Sequence, residues 1–421
     1  MLEKCIADCL ACAGNFAAGC GRCANNNFSI LDSFLTGDDF TGREPRQGYG
    51  IAIDIGTTTA AAALVDLTTA KIIARQCFMN PQRVYGHDVI SRIHAANKGF
   101  LPELQKLITE RTASCIDSLV KENFIQKIDE IVIAGNTTMI HLLLGQSCET
   151  LGVFPFKPKI TLSERYFYQD LFDAGTDAET AANRMTGCPV KIIPWFSAYV
   201  GGDITAGLIY ILQNITERQN RTSESINSFL LIDLGTNGEL ALYNKGKLIV
   251  TSCAAGPAFE NSARGHAAGA SGVVSGLARL LQNGTIDETG LLKSEAPEYF
   301  SQKEIRDLQL AVSAVRTGVE ILFDTACMTH NDIGAVYLAG GIGQAVNVND
   351  AALIGLIPQA LVCKTQAAGN SSLGGAVRTL LSPKSALNEM QTLLADFSEI
   401  NLAEHPRFND MFAENMLFKT Q

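Results

Sequence analysis

The chain has 421 residues, carries 33 Lys and Arg against 43 Asp and Glu, has a formal net charge of −10, and is 47% hydrophobic. That length predicts two or three domains, and an acidic balance without a basic run argues against nucleic acid or anionic lipid as partners, since both require clustered Lys and Arg. No segment approaches the roughly 18 apolar residues of a membrane span, Met1–Cys5 lacks the apolar core of a secretory signal, and twelve cysteines in so long a chain do not make a small disulfide scaffold. A protein of the reducing cytoplasm, with no membrane or nucleic-acid partner, is expected.

Five of the cysteines, Cys5, Cys9, Cys12, Cys20 and Cys23, fall in the first two dozen residues as C-x3-C-x2-C-x7-C-x2-C, with Gly14, Gly19 and Gly21 among them. Glycines let the backbone wrap around one soft metal centre, and the thiols suit either an iron-sulfur cluster or a four-cysteine zinc site; disulfides are a distant third. Residues 28–48 are polar apart from Phe28–Leu35 and read as a linker with one short helix, able to let a tethered module move.

Tyr49–Thr59 (YGIAIDIGTTT) reads as a phosphate-binding hairpin. Ile51 and Ile53 make a strand that Asp54 ends on a carboxylate, Gly56 permits a tight turn, and β-branched residues begin the return strand. The N–H groups around Gly56, Thr57 and Thr58 suit phosphate, and Asp54 suits the water shell of Mg²⁺; an ordinary hairpin has the same signature. Ala60–Val65 and Lys71–Cys77 complete a three-stranded meander. Helical spacing follows over 88–96 and 102–121, separated from the meander by the polar loop Asn80–Asp88, which either shapes a cleft or is merely solvated. The strand Glu130–Ala134 then delivers Gly135-Asn136-Thr137-Thr138 to the start of a helix over 139–144, where Asn136 either orients phosphate or attacking water or caps the helix. His141, on that helix's apolar face, is expected to be a packed core histidine.

Residues 151–185 lack periodicity and read as an insertion facing a partner. A strand over 190–194, the single tryptophan Trp195, and Gly201-Gly202-Asp203 follow; the two glycines are expected to let backbone approach a charged ligand, and Asp203 is a ligand-facing acid or a helix N-cap. Leu230–Leu242 (LLIDLGTNGELAL) then repeats the first hairpin, with Asp233 as its carboxylate and Gly235, Thr236, Asn237 and Gly238 as its turn. A second copy implies two similar halves. Cys253–Glu260 is a small-residue loop, 303–328 a long amphipathic helix, and the strand 335–339 ends on Gly340-Gly341-Ile342-Gly343, where missing side chains make room for a purine. The tail from Lys384 onward is expected to be helical, as core cover or a partner surface.

The two D-x-G-T hairpins, the Ala134-Gly135-Asn136 strand end and Ala339–Gly343 resemble the superfamily of actin, sugar kinases and heat-shock ATPases. Four stretches, Ala134–Leu144, Gly201–Gly207, Ala254–Glu260 and Gly369–Gly375, resemble more specifically the ATP-dependent reductive activators of corrinoid proteins, over about residues 48–385. The resemblance implies an α/β fold, a duplicated actin-like ATPase with two ribonuclease-H-like halves around a nucleotide cleft, after a small Cys-rich segment. The corresponding divisions are 1–27 Cys-rich, 28–48 linker, 49–200 first half, 201–385 second half and 386–421 helical tail.

It further implies ATP and Mg²⁺ as cofactors. The catalytic set would be Asp54, Asp203, Asp233 and Asn136. The nucleotide would be held by Gly56, Thr57, Thr58, Gly235, Thr236, Asn237, Gly238, Glu260 at the ribose, and Gly340, Gly341 and Gly343. It also tips Cys5, Cys9, Cys12, Cys20 and Cys23 toward a [4Fe–4S] or [2Fe–2S] cluster, with zinc as the alternative. The implied activity is transfer of a low-potential electron to the Co(II) corrinoid of a partner protein, drawn from an external donor, with a homodimer compatible. An activator of a radical dehydratase, a small-molecule kinase and a nucleotide-gated zinc module are the other expectations. The chain departs from its relatives in one respect: they carry a ferredoxin-type domain where fewer than fifty residues precede Tyr49. Cys20-Gly21-Arg22-Cys23 is similar to the end of a ferredoxin cluster loop, but Cys12 is further away than usual; a reduced module or a misplaced start codon would account for this.

Overall fold

The computed structural model describes residues 43–158, 166–172, 185, 187–221, 226–256, 258–261, 269–293, 300–340 and 346–418. The expected Cys-rich segment 1–27 and most of the linker therefore lie outside the described residues, as do Gly341, Gly343 and the side chain of Glu260. Two compact units are present. One runs up to Arg221 and takes in Ser371–Thr392, and the other continues to Asn370 and resumes at Leu393. The expected division at 200/201 and 385 differs from this, because two helices that follow the first half in sequence pack onto its sheet.

In the first unit, β1 (Tyr49–Ile55), β2 (Thr59–Asp66) and β3 (Lys71–Met79) form the expected antiparallel meander. Asp88 caps α1 (Val89–Ala95) through Ser91 N at 2.7 Å, and a five-residue π turn containing Gly99 at φ +100° joins it to α2 (Leu101–Glu122). β4 (Glu130–Gly135) lies parallel to β1, with Asp54 opposite Ala134, and leads into α3 (Thr137–Leu143). β5 (Tyr166–Phe167) and β6 (Pro189–Ile192) finish the sheet in the order β3-β2-β1-β4-β6-β5. α4 (Gly202–Arg221) closes this stretch of chain.

The second unit repeats the plan with β7 (Ser228–Leu234), β8 (Gly238–Asn244), β9 (Lys247–Cys253), β10 (Ala335–Ala339) and β11 (Thr365–Gly369). Its order β11-β10-β7-β8-β9 matches β6-β4-β1-β2-β3 strand for strand. α5 (Gly269–Gln282) and α6 (Gln302–Thr325) supply its core, α6 starting at a capping box between Ser301 and Glu304. After β11 the chain forms α7 (Ser371–Leu381) and α8 (Pro383–Ala395).

The helical tail is corrected at Phe397. Residues Phe397–Glu399 form β12, parallel to β9 at the sheet edge, before α9 (Phe408–Asn415). α9 covers α6: Ser313 Oγ donates to Phe412 O at 2.6 Å, and Phe418 is buried. From β12 onward the tail is thus core cover for the second unit. No helix among the described residues is long and apolar enough to cross a membrane.

Period-two alternation in β1 explains how the first site is placed. Ile51, Ile53 and Ile55 point into the core with Ile108, Ile116 and Met139. The opposite face carries Gly50, Ala52 and Asp54, and α7 lies on it: a side chain at Gly50 would meet Leu380 Cδ2 at 2.9 Å, and Asp54 meets Ser372. Small residues let the helix approach, and the acid ends that row.

Candidate functional site

In the first unit, Asp54 at the end of β1 accepts a hydrogen bond from Ser372 Oγ at 2.8 Å. Asp203, in the first turn of α4, accepts from Ile204 N at 2.9 Å. The Asp203 carboxyl is pushed up to about 7, by burial first and by the negative charge of Asp54 second. Two neighbouring half-buried carboxylates, one of which raises the other's proton affinity, form a donor set suited to a hard divalent cation with its water shell.

Gly201 and Gly202 have a different role from the expected one of letting backbone approach a ligand. A Cβ on Gly201 would lie 2.6 Å from Asn136 Cα and 2.7 Å from Thr137 N, and one on Gly202 would lie 2.4 Å from Ile193 O. They let α4 start against the protein's own backbone at the β4 exit, which brings Asp203 to the same sheet end as Asn136. Likewise, a Cβ on Gly374 would lie 2.7 Å from Tyr210 Cδ2 and one on Gly375 1.9 Å from Ala206 O, so these two glycines serve α7–α4 packing. Asp203 lies inside the helix and is not its N-cap.

Asn136 does cap α3: its Oδ1 accepts from Thr138 N at 3.0 Å. Thr137 Oγ1 donates to Ser197 O at 2.6 Å, while Thr138 Oγ1 and Ser371 Oγ are buried without a hydrogen-bond partner among the described residues. His141 is fully buried in the core, Nδ1 facing Thr137 O at 2.8 Å and its ring 5.4 Å from that of Trp195. Burial pushes its pKa down. No cluster of three metal-ligating side chains occurs among the described residues, and Cys5, Cys9, Cys12, Cys20 and Cys23 lie outside them.

The turn between β1 and β2 has support that the sequence did not disclose. Asn80 Nδ2 donates to Gly56 O at 2.9 Å, Arg92 Nη2 to Thr57 O at 2.6 Å, and Asn80 N to Thr58 O at 2.9 Å. Gly56 itself is required by the turn, since a Cβ there would lie 2.5 Å from Thr59 O. The polar loop after β3 is therefore neither cleft wall nor solvated surface at Asn80 and Gln82, both fully buried. Ser372, Asn80 and Arg92 are the polar contributors the sequence reading missed. Only Asn80, a turn-forming residue immediately before Pro81, left a local signal.

In the second unit Asp233 ends β7, and the Gly235 N–H donates to Asn237 O at 3.0 Å, closing the turn on itself. Thr236 is buried. Gly340, at the end of β10, has φ +82°, and a Cβ there would lie 2.5 Å from Asp233 Oδ1 and 2.6 Å from Leu234 O. Glycine is thus required by the neighbouring carboxylate. Gly238 is held against Cys253, whose Sγ donates to Gly238 O at 3.1 Å; burial keeps that thiol protonated well above its ordinary range. This inert packing leaves no nucleophile there.

The RACo middle region family matches residues 49–214, and the C-terminal ASKHA domain family of RACo matches 227–270 and 292–421. The corrinoid activation enzyme RamQ of Eubacterium limosum is 29% identical, over 88% of this chain and 70% of its own length. The [Co(II) methylated amine-specific corrinoid protein] reductase of Methanosarcina barkeri is 21% identical, over 89% and 77%. A solved reductive activator for corrinoid, iron-sulfur protein superposes with a TM-score of 0.74 at 29% identity, covering 90% of this chain and 67% of that one.

Proposed function

We propose, on the premise that this chain is a homologue of the reductive activators of corrinoid proteins, that it is an ATP-hydrolysing enzyme that returns the Co(II) corrinoid of a partner protein to Co(I). The observation that carries this is the likeness to such activators over about nine-tenths of the chain, including both D-x-G-T units. Reduction of Co(II) consumes one electron. We assign its delivery to an iron-sulfur centre on some of Cys5, Cys9, Cys12, Cys20 and Cys23, refilled by an external low-potential donor. A homodimer is compatible with this reading.

The paired acids support Mg²⁺ at the first site: a dication beside Asp54 and Asp203 would offset the burial and the Asp54 charge that together hold the Asp203 carboxyl near 7. When bound, Mg²⁺ supplies charge neutralisation for the phosphates. The chain's own residues do the rest. Ser372 holds the Asp54 carboxylate by its Oδ1. The N–H groups of Thr57 and Thr58 donate to phosphate oxygens, and Gly235–Gly238 offers a second set of donors beside Asp233. Asp203, once ionised, accepts the proton of the attacking water. Asn136 fixes the start of α3 beside Asp203. Gly340, Gly341, Gly343 and Glu260 are proposed for the purine and ribose.

The test is anaerobic: the cobalamin spectrum of a Co(II) corrinoid protein is followed with this protein, a strong reductant and ATP. ATP-dependent appearance of Co(I) is expected, together with a change in ATPase rate on adding the corrinoid protein. Co(I) appearing equally fast without ATP would remove the activator reading. A small hydroxylated substrate, but no corrinoid protein, stimulating hydrolysis would favour a kinase instead.

A further inference from the structure

We infer that Arg92, assisted by Asn80, is the positioning residue of the first phosphate turn: it holds the turn's carbonyls from behind so that its N–H groups face a phosphate. The inference rests on the reading of that turn as a phosphate site. Three consecutive carbonyls, those of Gly56, Thr57 and Thr58, each accept from one donor within the segment 80–92. In a trans peptide the C=O of one residue and the N–H of the next point in opposite directions. Gripping the Gly56 and Thr57 carbonyls therefore aims the Thr57 and Thr58 N–H groups away from that segment. Left ungripped, a half-buried carbonyl loses a hydrogen bond, and rotation of its peptide plane would turn the N–H with it.

The identity of the gripping residue is informative. Arg92 is fully buried on α1, where an apolar side chain would pack against Met139 at less desolvation cost. What arginine adds is reach to two separate segments: Nη2 donates to Thr57 O at 2.6 Å and Nε donates to Gly86 O at 3.0 Å, while Nη1 lies 3.1 Å from Met139 Sδ. Its planar fork suits this in a way a lysine ammonium does not. Burial lowers its pKa to about 10, so it stays charged at neutral pH, one carbonyl behind the turn. Asn80 is in turn held by Gln82 N donating to its Oδ1 at 3.0 Å. An acceptor-holding cation and a locked amide stabilise one orientation of the turn and add a positive field for an anion.

The experiment compares full-length wild type with Arg92→Lys, Arg92→Met and Asn80→Ala. Binding of Mg·ADP and of adenosine is measured by competition, beside thermal unfolding and ATP hydrolysis. We expect Arg92→Lys and Asn80→Ala to weaken ADP about tenfold while adenosine affinity changes less than twofold, with KM for ATP rising more than kcat falls. A residue needed only for packing would move both ligands together or neither. If Arg92→Met does not fold, the lysine and Asn80 variants decide. An unchanged ADP-to-adenosine affinity ratio in folded Arg92→Lys and Asn80→Ala overturns the inference. Wild type that binds ADP no more tightly than adenosine would instead sink the phosphate-turn reading on which it stands.

Discussion

Replacing Asp203 with asparagine isolates the electrostatics of the first site. In the metal-free protein the Asp203 carboxyl is pushed from the ordinary 3.8 to about 7 by burial and by Asp54. Between those values the folded state still holds a proton that the unfolded chain has released, so stability falls as pH rises through the window and levels off above about 7. At about 1.36 kcal/mol per pH unit, ionisation costs the fold up to about 4 kcal/mol, about 3 of it between about pH 5 and pH 8. Asp203→Asn removes the titration. The unfolding free energy of the variant minus that of wild type should therefore grow by about 3 kcal/mol from pH 5 to pH 8. Denaturant unfolding in EDTA, followed by the fluorescence of Trp195, the only tryptophan in the chain and part of the same unit, reads this directly. Mg²⁺ with nucleotide should stabilise wild type at pH 8 and leave the variant unaffected. A difference that stays constant within about 0.5 kcal/mol across this range would show that Asp203 titrates as an ordinary carboxylate, and the paired-acid argument would fail.

Asp54→Ala and Asp233→Ala should each abolish Mg²⁺-dependent ATP hydrolysis with far-ultraviolet circular dichroism unchanged; parental rates in both would place the nucleotide elsewhere. Ser372→Ala removes a hydrogen bond to a carboxylate and should cost about 1.5–3 kcal/mol of unfolding free energy, measured by denaturant titration. Gly340→Ala forces a left-handed Cβ against Asp233 Oδ1; it should cost about 1–2 kcal/mol for the backbone and about 1–3 kcal/mol for overpacking, and remove nucleotide-induced stabilisation. Deleting residues 1–27 should abolish cobalt reduction and leave ADP affinity within about twofold, a small change on the scale where tenfold is about 1.4 kcal/mol. Anaerobically purified full-length protein should contain iron and acid-labile sulfide; zinc without sulfide would favour the structural zinc site.

What could be read in the sequence was local chemistry. A strand, a carboxylate, a glycine and a threonine within four or five residues define a hairpin on their own, and their recurrence at Asp54 and Asp233 carried the duplicated plan. What could not be read depended on partners distant in sequence. Ser372 reaches Asp54 across 318 residues, and Arg92 reaches Thr57 across 35. The glycines before Asp203 looked like room for a ligand because sequence shows a missing side chain without showing what fills the space; here it is Asn136, Thr137 and Ile193. That α7 belongs to the first unit could not be read locally, because it packs on β1 and β4, more than two hundred residues earlier in the chain. Phe397–Glu399 was missed because a three-residue edge strand is too short to show a period of two.

The two D-x-G-T turns share strand order and the register to their parallel neighbour but not hairpin length or turn contacts, and this bears on how a duplicated site specialises. In each unit the acid-bearing strand runs parallel to its neighbour, with Asp54 opposite Ala134 and Asp233 opposite Ala339. The first turn is held from outside itself, by Asn80 and Arg92 at its carbonyls and by Ser372 at its acid. The second closes internally, Gly235 N–H to Asn237 O, and its Gly238 carbonyl takes the Cys253 thiol. An externally held turn can be retuned by changing α1 or α7 without touching the D-x-G-T residues. On the phosphate role proposed for this turn, Asn80, Arg92 and Ser372 are therefore where the first site's affinity can shift while its motif stays intact.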